Sequence, residues 1–410
     1  IARFLGCDPL EVRKRNFYGV GERDVTPYRQ KVTDNLLHEI VPRLEASSDY
    51  ARRREEIRAF NAQSPYLKRG IALTPVKFGI SFTATHLNQA GALLHVYQDG
   101  SVQLNHGGTE MGQGVYVKVA QVVAEELQID LDRIRITATR TDKVPNTSPT
   151  AASAGTDLNG QAASAAARTI RNRLTEFCAD HFKVAPEAIV FKDNLVRAGD
   201  RTFPFAEIVR LAYLHRVQLS ATGFYRTPKI WWDRDRARGR PFYYFAYGAA
   251  VTEVAVDTLT GEYRILRADL LHDCGHSINE AIDLGQVEGG YVQGVGWLTS
   301  EELWWDDKGR LRTHAPSTYK IPTSRDVPAD FRVRLLRNAP NPEEAIHRSK
   351  ATGEPPLMLG ISAWLALKDA VAAAAGHRLP PRLDAPATPE RVLMAIEDLR
   401  ARLGPAKAAE

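Results

Sequence analysis

Cysteine is scarce. The 410 residues contain only Cys7, Cys178 and Cys274, far apart and odd in number. That excludes a disulfide framework and points to a reducing compartment, so the cytoplasm is the expected location. No Cys-x-x-Cys motif occurs and no His/Cys pair has zinc-site spacing, so a metal is expected to arrive with a cofactor and to take no ligand from the chain. Charge of one sign is lacking too. The 54 basic and 49 acidic residues are spread along the chain, for a net charge of +5. The one basic cluster, Arg52-Arg53-Arg54, is followed at once by Glu55-Glu56. That reads as a solvated helix face, and nucleic acid is not an expected partner. No apolar run is read as long enough to span a bilayer, so no membrane partner is expected either. Nothing near Ile1 reads as a secretory leader. The chain opens with Ile1 in IARFLGCDPLEVRKRN, which reads as the middle of a helical domain. The expectation is the C-terminal part of a longer chain.

What is present is an ordinary globular composition, 44% hydrophobic and 25% charged, at a length sufficient for two or three domains. Residues 1–62 read as helical and connecting. The remainder reads as α+β, with one unit over 63–216 and a second over 217–410. Strand, tight turn, strand, polar loop and helix occur twice, near 91–128 and 248–300, as a weak internal repeat. The turns are Asp99-Gly100 and Thr260-Gly261.

Three stretches stand out. Asn105–Gly114, NHGGTEMGQG, holds four glycines where a strand hands over to the helix Val115–Gln128. Glycines let backbone amides approach a ligand, a helix start favours anions, and Gln113 adds an amide that donates and accepts. A tight turn explains the glycines equally well. Pro145–Gln161, PNTSPTAASAGTDLNGQ, has almost no bulk. It reads either as a flexible loop or as a polar cradle for phosphate at the start of a helix from Ala162. Gln286, beside Gly285, is expected at a loop–helix junction like that of Gln113. Lys350–Leu359, KATGEPPLML, puts Glu354 ahead of two prolines that open an apolar helix. An acid there is either a partner for the helix dipole or, lacking a cation in the next twelve residues, a general base. Phe82 and Thr83 lie beside a polar patch, where Phe82 reads most simply as core.

Seven segments in one order, KFGISFT, HGGTEMGQG, PNTSPTAASA, SATGFYRTP, GQVEGG, PSTYKIP and GEPPL, resemble the molybdenum-binding half of the xanthine dehydrogenase/xanthine oxidase family. The likeness covers nearly the whole chain. It implies repeated strand-hairpin-loop-helix units of the molybdopterin-binding type. It also implies a molybdenum hydroxylase that oxidises hypoxanthine and xanthine to urate by base-assisted hydroxylation. Gly112, Gln113, Ala152, Ser153 and Gln286 match residues around the molybdopterin. Phe82 matches a phenylalanine stacked on the purine, Thr83 a hydroxyl that bonds it, and Glu354 the catalytic glutamate. The family's upstream motif, with its substrate-binding arginine, second glutamate and second phenylalanine, is not in this sequence. Gly155 stands where some relatives keep a serine. FAD and two [2Fe–2S] clusters, with NAD as acceptor in the holoenzyme, are implied on a partner chain or region, hence a hetero-oligomer. A related aldehyde or N-heterocycle hydroxylase and a non-catalytic cofactor-binding module are the alternatives.

Overall fold

The computed structural model describes residues 1–404. The tail expected over 404–410 lies, after Gly404, outside the described residues. Four helices open the chain: α1 (Ala2–Leu5), α2 (Pro9–Arg15), α3 (Leu37–Ser47) and α4 (Tyr50–Gln63). The Asp8 carboxylate caps α2 by accepting from the Leu10 amide at 2.7 Å, and Pro9 takes the first helical position, where no amide hydrogen is needed. Strand β1 (Leu67–Ile80) follows, then the hairpin β2 (Gln89–Val96) and β3 (Val102–His106). Its turn sits at Asp99-Gly100, where Gly100 has φ +78° and Asp99 accepts from the Ser101 amide. The glycine-rich loop leads to α5 (Val115–Leu127), short β4 (Ile134–Ile136) and, after a long loop, α6 (Gly155–Phe182). A small sheet of β5 (Ile189–Lys192), β6 (Leu195–Ala198) and β7 (Arg201–Pro204) precedes α7 (Phe205–Leu214) and β8 (Ser220–Arg226). After the ribbon β9 (Trp231–Asp233) and β10 (Arg238–Arg240) comes the second hairpin, β11 (Tyr244–Asp257) and β12 (Tyr263–His272). Helix α8 (Glu280–Thr299), β13 (Asp330–Leu335), a 3-10 segment Pro355–Gly360 and α9 (Ile361–Ala373) follow, and α10 (Pro389–Leu403) closes the chain. Thr388 caps α10 by accepting from the Arg391 amide.

The main strands form two sheets, β8-β2-β3-β4 and β1-β11-β12-β13. In each, a hairpin pairs antiparallel and its second strand passes through a helix to a parallel neighbour, as β3-α5-β4 and β12-α8-β13. In each, a further antiparallel strand flanks the hairpin, β8 or β1, and a helix lies across it, α6 or α9. The expected repeat over 91–128 and 248–300 is therefore present. It also extends further, to a parallel strand and a second helix in each copy.

Backbone contact fixes the second helix of each copy. Gly223 of β8 lies so close to α6 that a Cβ would stand 1.9 Å from the Ala162 carbonyl and 2.7 Å from the Ala166 nitrogen. Gly70 of β1 lies the same way under α9, where a Cβ would stand 2.1 Å from the Ala366 carbonyl and 2.5 Å from the Ala370 nitrogen. The facing helix residues are buried alanines, including Ala162, Ala166, Ala366 and Ala370.

Three expectations change. The sheets do not divide at 216/217, because β1 belongs with the later hairpin and β8 with the earlier one. Strand exchange of this kind depends on pairings more than a hundred residues apart. Residues 1–62 do more than connect. Leu10, Ile40, Leu44 and Ile57 pack with Ile71, Leu73, Tyr247 and Val251, covering one face of the second sheet. Alternate residues of β1, Ala72 and Val76, pack on the other face with α9, as a strand buried on both sides requires. Pro355–Ala373 is, by length and composition, long and apolar enough to cross a membrane, contrary to the sequence reading. In this fold 61% of that stretch is buried against the protein itself.

Gly70→Ala and Gly223→Ala should each force a helix off its strand. The expected cost is about 1–3 kcal/mol or more, read as a lower thermal midpoint. An unchanged midpoint in both variants would contradict the backbone-contact assignment.

Candidate active site

Equivalent loops from the two copies meet at one cavity of about 380 Å³. Two loops follow β3 and β4, and two follow β12 and β13. They contribute Gln113, Ala152, Ser153, Gln286 and Glu354 to its wall, together with Lys118, Asp157, Asp283, Lys350 and Thr352. Five of the eight site residues expected from sequence thus share one cavity.

Several differ in detail from what the sequence led one to expect. Gln113 precedes Gly114, the N-cap of α5. Its amide turns into its own loop, donating to the Thr109 carbonyl at 2.8 Å and accepting from the Met111 amide at 2.5 Å. Gly112 is exposed with φ +97° and is not part of the cavity wall. Glu110 holds the helix start, accepting from the amides of Gly112, Gly114 and Tyr116 at 3.0, 2.9 and 2.9 Å. Burial pushes its carboxyl up, but those amides outweigh burial and hold it below the usual range. Ala152 and Ser153 both have φ +53°, a left-handed conformation costing about 1–2 kcal/mol for each L-residue. Among the described residues neither amide donates to a backbone carbonyl.

Helix α6 starts at Gly155, seven residues before the expected Ala162, so Asp157, Asn159 and Gln161 are helical. Gln286 lies in the second turn of α8, not at a junction, because Glu280 already begins that helix behind its Asn279 cap. Its side chain has no protein hydrogen-bond partner among the described residues. Glu354 is exposed, whereas the sequence reading expects it to open a buried helix. It is the N-cap of the 3-10 segment and meets Ser153 twice. The Ser153 hydroxyl donates to Glu354 Oε2 at 2.9 Å, and the Glu354 amide donates to Ser153 Oγ at 2.8 Å. Phe82 is half-buried and Thr83 exposed, and neither lines the cavity. Phe82 belongs to none of the hydrophobic core clusters, contrary to its simplest reading. Buried Asn88 fixes its backbone, bonding the Phe82 amide at 2.8 Å and its carbonyl at 2.9 Å, next to Ser81 at a strained φ of +140°. Ser148, in the loop that continues to Ala152, donates to the Leu87 and Gln89 carbonyls. The Phe82 loop therefore flanks the cavity wall without reaching into it.

Sequence reasoning missed the charges in the wall. Lys118 Nζ donates to Asp283 Oδ1 at 2.5 Å, and Ser277 and Thr352 donate to the same carboxylate at 2.5 and 3.0 Å. Lys350 donates to Asp273 at 2.7 Å and to Asp34 at 3.0 Å. Burial raises the Asp273 carboxyl and Lys350 opposes that rise. Asp157 accepts from the Tyr244 hydroxyl at 2.6 Å, which in turn accepts from the Ala351 amide at 3.0 Å. Burial pushes the Asp157 carboxyl up to about 7, against the pull of Tyr244 and Lys118. The one available signal was Lys118 itself, a lone charge inside the apolar run VYVKVAQVV. Under the glycine-rich loop, burial drives His106 down to about 4, and its Nδ1 accepts from the Gly108 amide at 3.1 Å.

A family profile described as a molybdopterin cofactor-binding domain matches residues 43–328. The chain belongs to the molybdopterin cofactor-binding domain family. It is similar to proteins named xanthine dehydrogenase/oxidase from Felis catus, at 46% identity over 98% of this chain, and xanthine dehydrogenase from Dictyostelium discoideum, at 44% over 96%. It spans 29% and 28% of the length of those two relatives. Among solved structures it is similar to quinoline 2-oxidoreductase from Pseudomonas putida 86, with a TM-score of 0.80 and 26% identity. That likeness covers 97% of this chain and 50% of the other. A copper- and molybdenum-containing CO dehydrogenase shares the fold, with a TM-score of 0.81 at 22% identity over 97% of this chain and 50% of that one.

The cavity suits the molybdopterin cofactor that this family binds. Two left-handed residues with free amides head α6, whose own first-turn amides lack helical partners, and together they form a cradle for an anion. Gln286 offers a donor and an acceptor to a heteroaromatic ring. At Gly155 an added Cβ would meet nothing nearer than 3.8 Å, so a serine there would fit and glycine is not required by the packing. Among the described residues no group of three His, Cys, Asp or Glu side chains is arranged to hold a metal ion.

Asp157 makes stability depend on pH. Its folded value, about 7, lies above its unfolded value, so its contribution is full below about pH 4 and is lost as pH rises toward 7. Asp157→Asn keeps an acceptor for Tyr244 and removes the titration. The variant should match the parent near pH 4 and exceed it at pH 8, by about 1.4 kcal/mol for each unit that separates the unfolded value from the folded one near 7. Denaturation at both pH values checks this, and an equal difference at the two would refute it.

Proposed function

We propose that this chain supplies the cofactor cradle and the general base of a molybdenum hydroxylase of the xanthine dehydrogenase type, acting on purines such as hypoxanthine and xanthine. The observation that carries this reading is the convergence of Ala152-Ser153, Gln286 and Glu354 on one cavity. The identities of 44–46% to proteins named xanthine dehydrogenase or xanthine dehydrogenase/oxidase support the purine assignment over an aldehyde or other N-heterocycle. [2Fe–2S] clusters and FAD on a partner chain or region would take up the electrons, with NAD as the acceptor of the holoenzyme.

When bound, the cofactor supplies an activated oxygen atom and a two-electron oxidant. The amides of Ala152 and Ser153, with the start of α6, hold its anionic group. Gln286 bonds its ring system, and Gln113 keeps the neighbouring loop closed by the two contacts it makes there. Glu354 receives the proton at Oε1, because Oε2 is engaged by the Ser153 hydroxyl. Phe82 and Thr83 border the route along which a flat purine approaches, and orientation there contributes to rate.

Glu354→Gln preserves the shape of the side chain and its contact with Ser153. It should lower kcat by about 10²–10⁴ while molybdenum content stays at the parent's level. Turnover within threefold of the parent would end the general-base reading. Full molybdenum occupancy without turnover in the unaltered protein would favour the cofactor-binding module. Phe82→Ala should raise KM for xanthine with little change in thermal midpoint, since the ring lies outside the core clusters. A large fall in midpoint with unaltered kinetics would return Phe82 to a packing role.

A further inference from the structure

The strap Lys350–Glu354 has no regular secondary structure, yet four of its five residues are tied. Lys350 is tied to Asp273 and Asp34, the Ala351 amide to Tyr244, Thr352 to Asp283, and the Glu354 amide to Ser153. Gly353 alone has no tie. A Cβ there would stand 2.9 Å from Ser153 Oγ, so the serine occupies the space that a side chain would need. That leaves one soft residue immediately before the carboxylate. The last fixed point ahead of Glu354 is Thr352, a stiff β-branched residue only 5% exposed.

Thr352 is held by an unusual partner. Asp283 Oδ1 receives both Thr352 and Lys118, and Oδ2 receives Ser277. Lys118 belongs to α5 of one copy and Asp283 to α8 of the other, so the carboxylate joins the two halves of the fold at the cavity. We propose that Thr352, bonded to the Asp283–Lys118 pair, is a positioning residue that sets where Glu354 stands. This rests on the reading of Glu354 as the base. The hydroxyl transmits the relative placement of two rigid helices to a carboxylate two residues away. It touches no reacting atom itself.

Thr352→Val keeps the volume and the branch and removes only the hydroxyl. Asp283 stays paired to Lys118 and Ser277, so the fold and cofactor loading should survive. In the complete enzyme, kcat should fall about tenfold with KM within twofold, and molybdenum content and thermal midpoint should be unchanged. Thr352→Ser should restore most of the rate. In a Glu354→Gln background the same change should cost nothing further, because its effect runs through the carboxylate. Parental kcat in Thr352→Val overturns the proposal, as does an equal loss in both backgrounds or a loss that tracks molybdenum content. Should Thr352→Val fail to accumulate, Thr352→Ala, which cannot clash, is read by the same criteria. Failure of the base reading looks different, since Glu354→Gln would then retain turnover whatever Thr352 does.

Discussion

A helix laid on a sheet is normally held off by the side chains beneath it. At Gly223 and Gly70 nothing intervenes, and the backbones of α6 and α9 rest on β8 and β1. Each contact pins a helix at one point along its length, and so fixes where its first turn emerges. The first turn of α6 carries Asp157 and follows Ala152-Ser153, and the 3-10 turn ahead of α9 follows Glu354. The cradle and the carboxylate are thus located by two glycines well outside the cavity, one in each copy of the unit. The cross-capping of Ser153 and Glu354 becomes possible only because both helix starts are brought to the same place.

Local chemistry was legible in the sequence wherever a local rule governs it. Asp8-Pro9 and Thr388-Pro389 begin helices, Asp99-Gly100 turns a hairpin, and the glycine-rich loop delivers α5. Reading failed where packing overrides composition. Gly155–Gln161 has little bulk and resembles a loop, yet it is helical and buries Asp157, Leu158, Asn159 and Gly160. Glycines also obscure α8, and in its second half they serve close approach, with Gly294 against the Leu357 carbonyl. Five of the eight residues that the resemblance named line the cavity, and nothing in it placed Gln286 in the second turn of a helix. Nor could any local signal pair Lys118 with Asp283, 165 positions away, or exchange β1 and β8 between the sheets.

The wall combines rigid and yielding parts. Glu110, His106 and Gln113 close the first loop through bonds to its own amides. Two consecutive left-handed residues keep the second loop in a conformation that surrounding structure must enforce. Only Gly353 is left without a tie in the strap that bears the exposed Glu354. A carboxylate that must both hold and release a proton benefits from being located by its neighbours while remaining free at one oxygen.

Both lysines in the cavity wall are already matched, Lys118 by Asp283 and Lys350 by Asp273 and Asp34. Whatever attraction the cradle has for an anion therefore comes from oriented peptide dipoles at the head of α6, not from surplus positive charge. Dipoles act at contact distance and do little beyond it. Long-range steering by salt-sensitive free charge is therefore small here, compared with a site built on unpaired cations. The amides select for an anion's outline as well as its charge, and a negatively charged group must come close to fitting before it is felt.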